Sequence, residues 1–210
     1  MIPTLQPIYN NLKGIYNNQE FKIVEDAFLL AEYKHRGQKR KSGEDYVLHP
    51  LRVAIEVSKL KLDASSIAAA LLHDILEDTD TTSNELKNKF GDEILFLVES
   101  LSHLTRLKHK ASYKNKTINR IENLRNLILS SAKDVRVILI KIIDRLDNMK
   151  AIWALSSEKQ IENAEETLEI FAFIEAADMS REKGGKVVLI TDAMKKGQRE
   201  AQKLIKKLKI

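Results

Sequence analysis

The sequence contains no cysteine among its 210 residues. Disulfides, thiolate zinc sites, iron–sulfur clusters and cysteine nucleophiles are therefore excluded, and any metal ion must be bound by nitrogen and oxygen atoms. Long apolar runs are also absent, because the longest covers only residues 67–72, far below the roughly 20 residues that span a bilayer. The N-terminus lacks the basic and apolar regions of a secretory signal. We therefore predict a soluble cytoplasmic protein without a membrane partner.

Proline is scarce, and none occurs after Pro50, so long helices are permitted over most of the chain. Apolar residues recur at helical spacing, and no alternating strand pattern of useful length is present. We predict an all-α fold, a compact multi-helix bundle. Gly91 is placed as a helix stop, and the predicted N-caps are Ser65, Thr82 and Asp134. The predicted helices cover 20–36, 50–60, 65–78, 83–90, 92–103, 118–132, 134–155, 159–179 and 186–208, with loops at 37–48, 102–117 and 180–185.

Basic residues exceed acidic ones, with 35 Lys and Arg against 30 Asp and Glu, giving a formal net charge of +5. Taken alone, this excess indicates an anionic partner. Seven basic residues and one acidic residue within 195–210 contribute +6, which leaves −1 on residues 1–194. A docked basic helix with a solvated rim explains the excess better than an anchor for nucleic acid or membrane. We therefore predict no nucleic-acid partner.

Polar residues interrupt an apolar helix in the segment 71–78, Leu-Leu-His-Asp-Ile-Leu-Glu-Asp. On a continuous helix, His73 and Glu77 are four residues apart, and so are Asp74 and Asp78, which places one imidazole and three carboxylates over adjoining turns. Clustered acids repel one another unless a cation or a hydrogen-bond network compensates their charge. An amphipathic helix end with solvated acids is the alternative, and it would be the better explanation of an isolated His-Asp pair.

Two residues outside this segment favour the metal-site interpretation. His49 precedes Pro50, where a helix is expected to begin, and Asp144 interrupts a second apolar helix. With His73 and Asp74 they make a mixed set of nitrogen and oxygen donors, which suits Mn²⁺, Fe²⁺ or Zn²⁺. The carboxylate share favours an octahedral ion that keeps open water positions.

The chain resembles the HD-domain superfamily of metal phosphohydrolases. Within it, the chain is most similar to the (p)ppGpp hydrolase domain of RelA/SpoT-type proteins and to the small alarmone hydrolases. The resemblance covers about residues 25–175 and depends on the order and spacing of several matching segments, which are 35–50, 72–79, 122–125, 134–141 with 144–149, and 166–170.

This resemblance implies a role for ten residues. The metal, expected to be Mn²⁺, would be bound by His49, His73, Asp74 and Asp144. The catalytic acidic pair would be Glu77 and Asp78. Substrate would be bound by Arg40 and Lys41 at the base and phosphates, by Ser42 in the base pocket, and by Asn148 at the ribose or a metal ligand. His35, His103 and His109 lie outside the matched metal positions and are assigned to surface or loop roles.

The resemblance further implies Mn²⁺-dependent hydrolysis of the 3′-diphosphate of guanosine tetra- or pentaphosphate, giving pyrophosphate and GDP or GTP and ending alarmone signalling. The small-molecule partner is thus (p)ppGpp. A chain of 210 residues has no room for the synthetase and regulatory domains of the long enzymes, so we expect a hydrolase without synthetase activity. We expect a single domain over 1–210, with a catalytic body at about 20–180 and a basic helix at about 186–210.

Two alternative functions stay open. The first is an HD phosphohydrolase acting on another nucleotide such as (p)pApp or NADPH, because base recognition must come from the pocket around Arg40, Lys41 and Ser42 rather than from the metal. The second is a non-catalytic nucleotide-binding module, which the presence of both Glu77 and Asp78 disfavours.

Two features stand apart from the matched pattern. The family usually has His at the position of Asp147; we expect the metal site to survive there with altered local electrostatics. The segment 106–120 carries six basic and no acidic residues, and a solvated loop and a phosphate-binding lid explain it equally well.

Overall fold

The computed structural model describes residues 2–110, 129–130, 132–189, 191–197 and 199. These residues form helices and turns without any β-strand, and a lone antiparallel bridge joins Lys39 to Asp45. The predicted all-α fold is confirmed. None of the described helices is both long enough and apolar enough to cross a membrane. The helices are α1 (Gln6–Leu12), α2 (Asn18–Lys34), α3 (Leu48–Lys59), α4 (Ala64–Leu72), α5 (Ile75–Asp78), α6 (Ser83–Lys110), α7 (Val135–Lys150) and α8 (Ser157–Glu182), with 3-10 turns at Pro3–Leu5 and Ile152–Ala154.

Residues 1–154 form one compact unit and residues 155–210 a second. The core of the first unit surrounds α4, which is buried at eight of its nine positions. Its three consecutive alanines present little side-chain bulk, and α2, α3 and α6 all pack against this helix. In the second unit, a small apolar cluster includes Ala172, Ala176 and Ala193. A single domain over 1–210 stays a prediction.

The predicted helix boundaries at Thr82, Gly91 and Asp134 are confirmed. The Asp134 side chain accepts a hydrogen bond from the backbone N–H of Arg136 at the start of α7. Thr82 lies directly before α6, and its hydroxyl accepts from the backbone N–H of Glu85 at 3.2 Å. Gly91 has φ 83° and ψ 177°, a conformation that only glycine adopts readily, so it interrupts α6 where the stop is predicted.

The N-cap of α4 is Asp63 rather than the predicted Ser65. Helix α4 begins at Ala64, and the Asp63 carboxylate accepts from the backbone N–H of Ser66 at 2.9 Å and from its hydroxyl at 2.6 Å. Aspartate and serine are both favoured caps, but Ser65 is already the second residue of the helix, so the role falls to Asp63 directly before it.

The predicted helix 65–78 is two helices, because α4 ends at Leu72 and α5 begins at Ile75. The His73 ring is hydrogen-bonded through Nδ1 to the carbonyl of Ala70 at 2.8 Å, the carbonyl that the backbone N–H of Asp74 would use in a continuous α-helix. His73 and Asp74 keep right-handed helical dihedral angles. The chain direction therefore changes little, and the predicted polar cluster stays on adjoining turns.

Four further parts of the helix prediction differ from the structure or lie outside it. Helix α6 continues to Lys110 instead of ending at 103, since no glycine or proline follows Gly91 in this stretch. Helix α1 is missing from the prediction, because seven residues including Pro7 are too few to show a periodic pattern. The predicted helix 118–132 and basic segment 106–120 lie largely outside the described residues. The predicted helix 186–208 is not helical at its start, since residues 186–189 form no helix. The residues described after them, 191–197 and 199, are helical.

Arg136 forms ion pairs that join three segments of the first unit. From α7, its guanidinium contacts Asp134 at 2.6 Å and Glu93 of α6 at 2.8 Å, and it also pairs with Asp63 before α4. The pKa of Asp134 lies below its ordinary value because of the hydrogen bond from Arg136. One cation therefore compensates three carboxylates and fixes α7 relative to α4.

Replacing Arg136 by methionine leaves these three carboxylates without their shared cation. We expect Arg136→Met to lower the free energy of unfolding by about 1.5–3 kcal/mol, the range for hydrogen bonds to charged groups. The matched control is Arg181→Met, since the Arg181 side chain is 78% exposed and pairs only with Asp178 among the described carboxylates. Urea denaturation of both variants measures the difference, and equal midpoints would contradict the stabilising role.

Candidate metal centre

Four helices bring the predicted metal ligands to one buried point. His49 lies in the first turn of α3, and His73 directly follows α4. Asp74 precedes α5, and Asp144 lies on α7. His49, His73 and Asp144 are at most 3% exposed. Residues 95 positions apart in the sequence thus meet because α3 and α7 pack against each other and both contact α4.

Four atoms converge at this point, one from each side chain. The Nε2 atoms of His49 and His73 are 3.2 Å apart. Oδ1 of Asp144 is 3.2 Å from Nε2 of His49 and 3.6 Å from Nε2 of His73. Oδ1 of Asp74 is 3.2 Å from Nε2 of His73. Ligand atoms about 2.1 Å from one ion and at right angles to each other lie about 3 Å apart. Ligand atoms of His49, His73 and Asp74 all lie within 4.8 Å of one another, so these three side chains could hold a metal ion. Asp144 adjoins both imidazoles of this group.

The second ring nitrogen of each histidine has its own partner. Nδ1 of His49 is 2.8 Å from Oδ2 of Asp147, and Nδ1 of His73 is 2.8 Å from the carbonyl oxygen of Ala70. Both partners accept hydrogen bonds, so each ring carries a proton on Nδ1. Nε2 is therefore the ring atom of each histidine that faces the centre and that would bind a metal.

The second oxygen of each aspartate is also bonded. Oδ2 of Asp144 is 2.9 Å from the ammonium of Lys141, which is 7% exposed. Oδ2 of Asp74 accepts from the hydroxyl of Tyr46 at 3.0 Å. Asn148 donates to Oδ1 of Asp144 at 2.7 Å and uses one lone pair of that oxygen. These bonds fix both carboxylates and leave an oxygen of each at the centre.

The electrostatics of the centre favour a cation. Burial lowers the pKa of His73, but Asp74 and Asp144 raise it by more, so that pKa lies well above its ordinary value. Burial raises the pKa of Asp144, whereas Lys141 and the two histidines lower it by more. Two buried carboxylates thus stay ionised and need nearby positive charge. In the metal-free protein a proton on His73 supplies part of that charge.

Tyr46 is a site residue that the sequence analysis missed. Its hydroxyl lies 2.6 Å from Oδ2 of Asp78 as well as 3.0 Å from Asp74, so it links the predicted catalytic acid to a predicted metal ligand. Burial and the two aspartates raise its pKa far above the ordinary value, which keeps the hydroxyl protonated as a donor. The sequence carries one signal for Tyr46, which is its position three residues before the predicted ligand His49, in a predicted loop.

His35 and Gln38 support this arrangement. The His35 ring stacks on Tyr46 with centroids 4.7 Å apart and an angle of 12°. Gln38 contacts Nδ1 of His35 at 2.7 Å and donates to the carbonyl of Asp78 at 2.8 Å. His35 lies in the turn that follows α2, as its predicted loop role requires, but it is not at the surface, since it is 3% exposed. The side chains of His103 and His109 lie outside the described part of the structure. Glu77 is half-buried beside Asp78 on α5.

The predicted substrate residues fall into two groups. Arg40 reaches the centre, because its guanidinium donates to the side-chain oxygen of Asn148. Lys41 lies exposed on the turn that follows, and Ser42 is half-buried there. Nη1 of Arg40 and the hydroxyl of Ser42 are buried atoms without a hydrogen-bond partner among the described residues. A buried donor left unbonded costs about 1–3 kcal/mol, so both atoms fit contacts with a polar ligand.

Comparison with known proteins identifies the family to which the chain is similar. The sequence model of the HD domain matches residues 27–178. A guanosine-3′,5′-bis(diphosphate) 3′-pyrophosphohydrolase of Aquifex aeolicus is 46% identical over 154 residues, which are 73% of this chain and 21% of that protein. The bifunctional (p)ppGpp synthase/hydrolase SpoT of Escherichia coli is 40% identical over 153 residues, which are 73% and 21% of the two chains. The chain thus matches about a fifth of the length of these curated relatives.

A solved structure shares the fold. A protein described as a metazoan ortholog of SpoT that hydrolyzes ppGpp and plays a role in starvation responses superposes with a TM-score of 0.58 at 23% identity. The match covers 81% of this chain and 99% of that one. At this identity the likeness establishes the helical fold.

Removing one carboxylate from the centre tests the predicted ligand set. We expect Asp74→Ala to abolish Mn²⁺ binding, measured by titration calorimetry, because one ligand atom is lost and His73 loses its nearest carboxylate. The matched control is Asp80→Ala, since Asp80 is 86% exposed and pairs with Lys34 at the surface. Unchanged affinity in Asp74→Ala, or an equal loss in the control, would contradict the ligand set.

Metal binding should also release a proton. Because the pKa of His73 is raised in the metal-free protein, the ring is protonated at pH 7 and must lose its Nε2 proton to bind metal. We expect about one proton released per ion and an affinity that weakens as the pH falls. Calorimetry in buffers of different ionisation enthalpy measures this number, and a value of zero would contradict it.

Proposed function

This chain belongs to the HD domain family, and we propose that it is a Mn²⁺-dependent hydrolase that removes the 3′-diphosphate of guanosine tetra- or pentaphosphate. The products are pyrophosphate and GDP or GTP. The observation that carries the proposal is the group of His49, His73 and Asp74, which could hold a metal ion. Oδ1 of Asp144 lies 3.2 and 3.6 Å from the two imidazoles of this group, and Tyr46 links Asp74 to Asp78. The names of the relatives supply the substrate class.

The proposed Mn²⁺ ligands are His49, His73, Asp74 and Asp144. Mixed imidazole and carboxylate donors suit this ion, which favours six-coordinate geometry with positions left for water or substrate oxygen. When bound, the ion supplies a water of lowered pKa and positive charge beside the phosphate. Lys141 contributes by holding the far oxygen of Asp144, which keeps the other oxygen at the centre.

The proposed catalytic residues are Glu77 and Asp78, which orient the attacking water or accept its proton. The hydroxyl of Tyr46 holds the Asp78 carboxylate in place through a 2.6 Å hydrogen bond. The oxygen of water bonds to the phosphorus that is attached to the ribose 3′-oxygen. The bond between that phosphorus and the 3′-oxygen breaks, and the 3′-oxygen receives a proton. Pyrophosphate leaves, and the 5′-phosphates stay on the nucleoside.

The proposed substrate contacts lie on the turn before α3 and on α7. Arg40 combines a charged guanidinium with a buried unbonded Nη1 atom, which suits stacking on a purine and pairing with an anionic group. Lys41 is exposed and free to reach phosphates, while the buried hydroxyl of Ser42 suits the base edge. Asn148 bonds both Arg40 and Asp144, so it connects the substrate contacts to the metal ligands.

Hydrolysis of another nucleotide, such as (p)pApp or NADPH, would use the same metal centre and differ in the base pocket. A non-catalytic nucleotide-binding module is less well supported, because the Tyr46 hydrogen bond maintains an acid beside the metal ligands. The cytoplasmic location and the lack of synthetase activity stay predictions.

A product assay tests the proposed function directly. The purified protein is incubated with ppGpp, pApp or NADPH, with and without Mn²⁺, and the products are resolved by anion exchange. We expect GDP and pyrophosphate from ppGpp only when Mn²⁺ is present. No pyrophosphate from ppGpp with Mn²⁺ present would refute the proposal, and turnover of pApp or NADPH alone would favour the alternative substrate.

Neutralising the acidic pair separates catalysis from metal binding. We expect Glu77→Gln and Asp78→Asn to keep Mn²⁺ affinity while kcat falls about 10²- to 10⁴-fold, the usual contribution of a positioned acid or base. Glu85→Gln is the matched control, since Glu85 pairs with Lys34 at the surface. A kcat that is unchanged in both site variants would show that neither acid takes part in the reaction.

A further inference from the structure

Asp147 is a buried acidic residue beside the candidate metal centre and lies outside the predicted ligand set. It follows Asp144 by three positions on α7, so both carboxylates project from the same side of the helix. Asp147 is 4% exposed. A buried carboxylate requires a partner that offsets its lost hydration, and its partners indicate what the residue does.

The first partner is the predicted ligand His49. Oδ2 of Asp147 lies 2.8 Å from Nδ1 of His49, on the side of the ring opposite the metal centre. Both side chains are buried, so water does not compete for this bond. The carboxylate can only accept a hydrogen bond, and it therefore requires the His49 proton to be on Nδ1.

The second partner, Arg52, holds Asp147 itself. Its Nε and Nη2 atoms bond the two Asp147 oxygens at 2.9 Å each. The other edge of the same guanidinium bonds both oxygens of Glu44 at 2.8 Å. Bidentate pairs of this kind fix the orientation of a carboxylate as well as compensating its charge. The Asp147 carboxylate is thereby held in the one orientation that meets His49.

An ion pair that only stabilises the fold is the simpler explanation, and one contact argues against it. Arg52 alone would compensate the charge of Asp147, and Nη1 of Arg40 is a second cationic group 3.6 Å from Oδ2 of Asp147. Neither of these two ion pairs requires Asp147 to bond an imidazole as well. The additional bond to His49 is the arrangement in which a carboxylate orients a metal-binding histidine and increases the basicity of its other nitrogen.

We propose that Asp147 is a positioning residue of the metal centre, which holds His49 with its proton on Nδ1 and its Nε2 towards the metal, and that Arg52 and Glu44 hold Asp147 in turn. The inference rests on the metal site of the proposed function and is independent of which nucleotide is hydrolysed.

The test is the affinity of the full chain for Mn²⁺, measured by calorimetry. We expect Asp147→Asn to raise the dissociation constant about 10- to 100-fold, the usual effect of removing such an orienting carboxylate. Asp92→Asn is the matched control, because Asp92 is 79% exposed and pairs with Lys87, and it should leave the affinity unchanged. An affinity within about threefold of wild type in Asp147→Asn would refute the proposal.

A tautomer measurement separates positioning from a purely structural role. In Zn²⁺-loaded protein labelled with ¹⁵N-histidine, the His49 ring should show the Nδ1–H form, and Asp147→Asn should alter its ring nitrogen shifts. The His73 ring, whose Nδ1 proton is held by the Ala70 carbonyl, should keep its signals. Unchanged His49 signals in Asp147→Asn would overturn the proposal even if the variant were less stable.

Glu44→Gln provides a milder variant in case Asp147→Asn fails to fold. It weakens the hold on Arg52 at a half-buried position, and we expect a smaller rise in the Mn²⁺ dissociation constant together with the same His49 shift changes. No change in either would refute the proposal. A wild-type chain that binds Mn²⁺ without hydrolysing ppGpp would refute the proposed function alone, whereas one that binds no metal would refute both.

Discussion

The structure depends on one electrostatic constraint: two imidazoles and two carboxylates lie together, and each carboxylate has an oxygen 3.2 Å from an imidazole nitrogen. Two ionised carboxylates removed from water are unfavourable unless positive charge lies between or beside them. Lys141 compensates one from behind, and a proton on His73 compensates part of the rest. A divalent cation held by His49, His73 and Asp74 would supply this positive charge, so the arrangement suits metal binding.

The surrounding helices supply the rigidity that this arrangement requires. Helix α4 is apolar and buried, so it holds His73 at its end with little freedom. Helix α7 is fixed to α4 and α6 through Arg136, which sets the position of Asp144. Tyr46, from the turn before α3, bonds the proposed catalytic acid Asp78, and Asp147 of α7 bonds the proposed ligand His49. Hydrogen bonds from neighbouring side chains therefore hold both the proposed catalytic group and the proposed metal-binding group.

The sequence predicted the all-α fold and the residues that meet at the centre, because apolar periodicity and the interruption of apolar helices by His73, Asp74 and Asp144 are local signals. It did not predict the break at His73, since that depends on a side chain bonding the Ala70 carbonyl. It also missed Tyr46, because a tyrosine in a predicted loop carries no signal until the fold places it against Asp78. Contacts between distant segments, such as Arg52 with Asp147, follow only from tertiary packing.

The central claim is that these four side chains bind one divalent ion. Anomalous scattering from crystals of the full chain grown with Mn²⁺ tests it most directly, because it locates the metal without reference to activity. The account predicts a single strong peak within bonding distance of Nε2 of His49, Nε2 of His73 and one oxygen each of Asp74 and Asp144. A peak elsewhere, or none at this centre at saturating Mn²⁺, would contradict it.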